Sequence, residues 1–159
     1  MANTFKKLTA LIIIATTITG CGSGQTAVTR TIKQITDGVE AESNGIKLRN
    51  VLIVKTANSE GVLVATVVNT TDDADSIVGI AIGGAMATVV AKSSELVKNK
   101  PIIFVGDSTN ADASIPVLNN NAGDRIGITF TFAKAAPVTI SALVVNGEGI
   151  YQDLVRVKP

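Results

Sequence analysis

The chain has 159 residues, enough for one domain with accessory segments. Hydrophobic residues make up 46% and charged residues 17%, which excludes a disordered chain; aromatics are only 3%, so a core must be built from Val, Ile, Leu and Ala. The formal net charge of +1 becomes −1 once Lys6 and Lys7 are set aside, leaving no electrostatic case for nucleic acid, and the zero histidine count removes Ser-His and Cys-His pairs and imidazole metal sites.

Lys6 and Lys7 precede an apolar run of 12 residues, Leu8 to Thr19. A membrane-spanning helix needs about 20. A positive start, a short apolar stretch and then small residues is the pattern of an export signal. It ends in Ile18-Thr19-Gly20-Cys21, which resembles the bacterial lipobox: an aliphatic residue, two small residues, then cysteine. That resemblance implies a diacylglyceryl group on the Cys21 thiol and cleavage between Gly20 and Cys21. Two acyl chains are what stable anchoring takes, at about 0.8 kcal/mol per buried methylene. The glycines around Cys21 lack the Lys-Ser/Thr of a phosphate loop. The sequence thus predicts a signal peptide over 1–20, a lipidated N-terminus and tether over 21–45, and a domain over 46–159. Within the tether, Thr31 to Thr36 reads as linker, with a short strand as the alternative.

From Ile46 the chain breaks into short β-rich runs bounded by turn residues. Strands are predicted over 46–54 and 61–69, then over 76–84 and 85–92 around a bend at Gly83 and Gly84. Another follows over 101–107. The run 113–118 holds Pro116 and is assigned to a sheet edge. The run 125–133 alternates, with Ile126, Ile128, Phe130 and Phe132 on one face. It pairs with 137–145 after a tight turn. Residues 93–100 read as a helical turn, and 150–157 as a last strand or a trailing tail. Seven to eight strands at about ten-residue spacing predict an all-β, antiparallel β-sandwich.

Few constellations carry chemistry. No Ser has a Lys three positions later, and no pair among the 13 acidic residues stands out, so no enzyme is expected. Asp72, Asp73 and Asp75 share one loop and are the metal candidates, without the EF-hand spacing. Asp107, Asn110 and Asp112 form a second Asx-rich turn. Asn69-Thr70-Thr71 matches the N-glycosylation acceptor. Met86 reads as core filling. Phe130 and Phe132 read as core, not as a stacking platform for single strands.

Three stretches carry a family resemblance: Arg49-Asn50-Val51 in the first strand, Asp75 to Ile80 after an Asn-Thr turn, and "TFTFAKA" followed by "VTI". Over Ile46 to Val145 the chain resembles the LpqE-type lipoproteins of actinobacteria, themselves similar to the periplasmic copper chaperones called PCuAC. The resemblance implies a cupredoxin-like, immunoglobulin-like sandwich. PCuAC proteins hold Cu(I) with histidines and methionines, soft and borderline donors. Here the segment after "SIVGI" reads "AIGGAMATVVAKSSE", with valines and alanines where a histidine is expected, so no copper ligand is carried over. The expectation is a lipid-anchored binding domain outside the cytoplasmic membrane, with no cofactor and no nucleic acid. Its partners would be the membrane, through Cys21, and an envelope protein or cell-wall component. The alternative is a PCuAC-like metallochaperone.

Overall fold

The computed structural model describes residues 37–157. The expected signal peptide, Cys21 and the segment 31–36 lie outside them. Eleven strands follow in order: β1 (Val39–Ser43), β2 (Ile46–Lys55), β3 (Gly61–Asn69), β4 (Asp75–Ile82), β5 (Ala85–Met86), β6 (Thr88–Ala91), β7 (Glu95–Leu96), β8 (Ile102–Phe104), β9 (Ala111–Ile115), β10 (Arg125–Phe132) and β11 (Val138–Asn146). A 3-10 turn at Gly149–Tyr151 closes the set. Hydrogen bonding runs β5-β4-β10-β11-β2-β3-β8-β9-β6, with β1 beside β2 and β7 beside β4.

β11 joins two layers. Val138 to Leu143 pairs with β10, and Val144 to Asn146 then pairs with β2. The β4–β10–β11 layer faces the β2–β3–β8–β9 layer, and one core lies between them. Its largest buried side chains include Leu48, Ile53, Leu63, Phe104, Ile128 and Phe130. The expected alternation in β10 holds: Ile126, Ile128, Phe130 and Phe132 are buried, while Thr129 and Thr131 face away. The all-β sandwich is therefore as expected. The strand count is higher, and the pairing is not antiparallel throughout, because β11–β2 and β8–β9 run parallel.

Two bulges set which side chains face the core. In β2, Arg49 pairs with Thr66 and Leu52 with Val64, so Asn50 and Val51 oppose one residue. Asn50 sits at φ +52, a left-handed conformation that Asn tolerates. The extra residue flips the alternation: Ile46 and Leu48 point inward before it, Val51 and Ile53 after it. A Cβ on Gly38 would clash with the Asn50 backbone and side chain, so the bulge seats only a glycine there. In β4, Ile77 pairs with Phe132 and Gly79 with Thr131. Val78 is the extra residue and turns out to solvent, 66% exposed.

Other expectations need correcting. Domain order begins before Ile46: Asn44 and Gly45, at φ +47 and +78, make the two-residue turn of a β1–β2 hairpin with Ser43 opposite Ile46. That Asn-Gly signal lay inside the stretch assigned to the tether. Residues 93–100 hold β7, not a helical turn; Glu95 and Leu96 pair with the start of β4, and Leu96 is fully buried. β9 is not an edge strand, since it pairs with β6 on one side and with β3 and β8 on the other. Pro116 follows its last residue, Ile115, and so interrupts no ladder. The run 85–92 divides at Ala87, where the chain leaves β4's layer as β5 and joins β9 as β6. Residues 150–157 pair with no strand.

Candidate functional site

The acidic loop does not gather its three carboxylates. Asp72 reaches outward to Lys98 Nζ at 2.6 Å. Asp73 contributes its backbone carbonyl, which accepts from Asn69 Nδ2 and Thr71 Oγ1. Asp75 is buried and turned the other way: Oδ1 accepts from the Ser76 and Lys134 amides at 2.7 and 2.9 Å, and Oδ2 from the Ala135 amide at 2.8 Å. Burial pushes this carboxyl up, but the amides of Ala135, Ser76, Lys134 and Ala133 outweigh it and hold it below the ordinary carboxylate range. Asp75 therefore staples the β10–β11 turn to the start of β4. Among the described residues no group of three His, Cys, Asp or Glu is placed to hold a metal ion.

Asn69 is also closed to outside chemistry. It is fully buried, its Nδ2 donates to the Asp73 and Leu96 carbonyls, and its Oδ1 accepts from the Thr71 amide and hydroxyl. An acceptor asparagine for glycosylation must be reached from solvent, which this one is not. In the second Asx-rich turn, Asn110 Oδ1 accepts from the Ile103 amide and Nδ2 donates to the Pro101 carbonyl. That residue shapes a turn. Asp112 belongs to a different feature, an ion-pair cluster with Arg156 and Glu60.

The surface is least finished where the strand path ends. β4 with β5 closes one end of the path and β6 the other. Between them lies a cleft of about 280 Å³ lined by Ile77, Val78, Gly79, Val89, Ala91 and Ser94. Val78 and Val89 are exposed, and beside them Met86 is 70% exposed. Met86 is thus not core filling; β5 has only two residues, and both face solvent. Val78 is presented by the bulge, and Val89 by a strand whose second neighbour is missing. Val78, Met86 and Val89 thus place exposed apolar side chains beside this cleft. No pattern in the sequence marks this seam, since it depends on a bulge and on a change of layer at Ala87.

No protein-family model matches the chain, and no curated protein matches it at a significant level. Solved structures do. The apo PCuAC domain from PmoF1 aligns with a TM-score of 0.57 at 18% identity, covering 68% of this chain and 99% of that one. The copper-bound PCuAC domain from PmoF2 aligns with a TM-score of 0.57 at 19% identity, covering 68% and 98%. The fold is that of the PCuAC domains. At this identity the likeness is one of fold.

A copper cargo can be tested against the donors present. The chain has no histidine, and Met86 is the only sulfur-bearing side chain in residues 37–157. One exposed thioether on a two-residue strand does not make a Cu(I) site, which takes several soft or borderline donors converging on the ion. Among the described residues no donor set fits that ion. The segment where the family resemblance leads one to expect a histidine, residues 81–95, instead runs along the apolar seam.

Proposed function

We propose that this protein is an extracytoplasmic, lipid-anchored binding domain that uses a PCuAC scaffold to present the apolar seam of Val78, Met86 and Val89 to an envelope partner. The single observation that carries the reading is this exposed apolar cluster beside the two ends of the strand path. The export pattern and lipobox ending at Cys21 support placement outside the cytoplasmic membrane. Among the described residues no helix is long and apolar enough to cross a membrane; in this reading the anchor is the lipid on Cys21. The domain acts by contact and not by turnover.

The test is capture from detergent-solubilised envelope by the full chain and by a Val78→Asp/Val89→Asp variant. A reproducible partner retained by the first and lost by the second is the expected result. Equal capture by both, or no partner at all, would sink the reading. For the anchor, Cys21→Ser should abolish lipid labelling and release the protein; unchanged membrane retention would remove the lipobox from the account. The fold likeness to a copper-bound domain favours a second reading, a PCuAC-like metallochaperone. The donor set opposes it, and a Cu(I) titration against a chelator separates the two.

A further inference from the structure

The outer face of β2 and β3 carries a second, much smaller apolar cluster of Leu52, Val54 and Val64. Leu52 and Val54 are fully shielded from solvent, yet no sheet lies over them. Their cover is the C-terminal segment, which packs Tyr151 and Leu154 onto them beside Val105 and Val145. This segment joins no strand ladder. The Val155 carbonyl ties its backbone to the sheet region, accepting from the Gly106 amide at 3.1 Å.

One side chain holds the far end. Arg156 Nη1 and Nη2 donate to the two Glu60 oxygens, both at 2.9 Å. Its Nε and Nη2 donate to the two Asp112 oxygens at 2.7 and 2.8 Å. Both pairs are the fork-on-carboxylate kind, stronger than neutral hydrogen bonds. The near end leaves β11 through Gly147 and Gly149, the latter at φ +58. Beneath the segment, Val105 is held at φ +73, a costly conformation for a β-branched residue. A cover with a glycine hinge, a single clasp and a strained residue under it is built to come away before the sandwich does.

We propose that residues 149–157 form a strap that opens as a unit while the sandwich stays folded, and that the Arg156 clasp sets how often it opens. Opening uncovers Leu52, Val54 and Val64 and lets Val105 relax. It also removes one wall of the cleft of about 620 Å³ lined by Thr56, Asn58, Glu148, Tyr151 and Arg156. This device is separate from the apolar seam and survives if the seam binds nothing.

Hydrogen-exchange mass spectrometry on the full chain tests it, comparing the protein with Arg156→Gln. Exchange in 149–157 and at Val105–Gly106 should rise about tenfold or more, the scale of losing charge-assisted bonds, with β4 and β10 unchanged. Arg156→Lys, which keeps the charge but not the fork, should fall between. A uniform rise across all strands, or no rise in the strap, overturns the proposal. Should Arg156→Gln fail to fold, exchange of the unmodified protein in low denaturant decides it. Strap amides must then exchange through an opening that leaves β10 protected; exchange of both together through one global event contradicts it.

Discussion

The β2–β3 pair has two faces that differ in how they were closed. The inner face meets a whole second layer, and its side chains are locked into one contiguous core with β4, β10 and β11. The outer face buries three residues under a segment with little backbone pairing of its own. The same two strands thus carry a surface sealed by packing and a surface sealed by one salt-bridged tail. Stability should be concentrated in the first and adjustability in the second, because cooperative opening follows contact density and not sequence distance.

Substitutions can break or sharpen this contrast. The largest expected loss is on the inner side: Phe130→Ala should cost about 4 kcal/mol in denaturant unfolding, with the whole domain melting earlier. Next is the staple at the rim of the same core. Asp75→Ala leaves three amides without their acceptor and should cost about 3 kcal/mol. Its pH dependence has a fixed sign. Asp75 sits below the ordinary carboxylate range in the folded state, so its contribution is whole above the unfolded carboxylate pKa. It is lost as pH falls through the folded value, and a midpoint series from pH 7 to pH 3 should show the unmodified protein losing more stability than Asp75→Ala. On the outer face, Leu52→Ala should cost about 2 kcal/mol, at the low end for a core leucine because the strap can settle into the gap. A Leu52→Ala loss equal to that of Phe130→Ala would erase the distinction between the faces. The smallest effect belongs to the seam, where Val78→Asp should change stability by no more than about 0.5 kcal/mol, so that any lost binding reports on contact alone.

Much of the inner face was legible in the sequence. β3, β10 and β11 fall where β-branched density and alternation put them, and Phe130 and Phe132 lie inward as their shared parity requires. The features that give the molecule its character were not. Asn50 and Val78 each add a residue to a strand, and a period-2 pattern cannot show where the extra residue goes until a partner strand fixes the register. The chemistry of Met86 predicts an interior position, but it lies outside because its strand is two residues long. The Arg156 clasp joins residues 96 and 44 positions away, a distance across which one sequence carries no signal. The three loop aspartates were neighbours in sequence only, since Asp75 spends its oxygens on the amides of the 134–135 turn.

The described residues form a sandwich with the PCuAC fold that lacks the donors for a soft metal, and its proposed role is contact through the apolar seam. The most direct test is an equilibrium titration of the Cys21→Ser full chain with Cu(I) in the presence of a competing chelator. The copper is predicted to stay with the chelator at every protein concentration. Stoichiometric withdrawal of Cu(I) by the protein, abolished by Met86→Leu, would contradict the account and restore the metallochaperone reading.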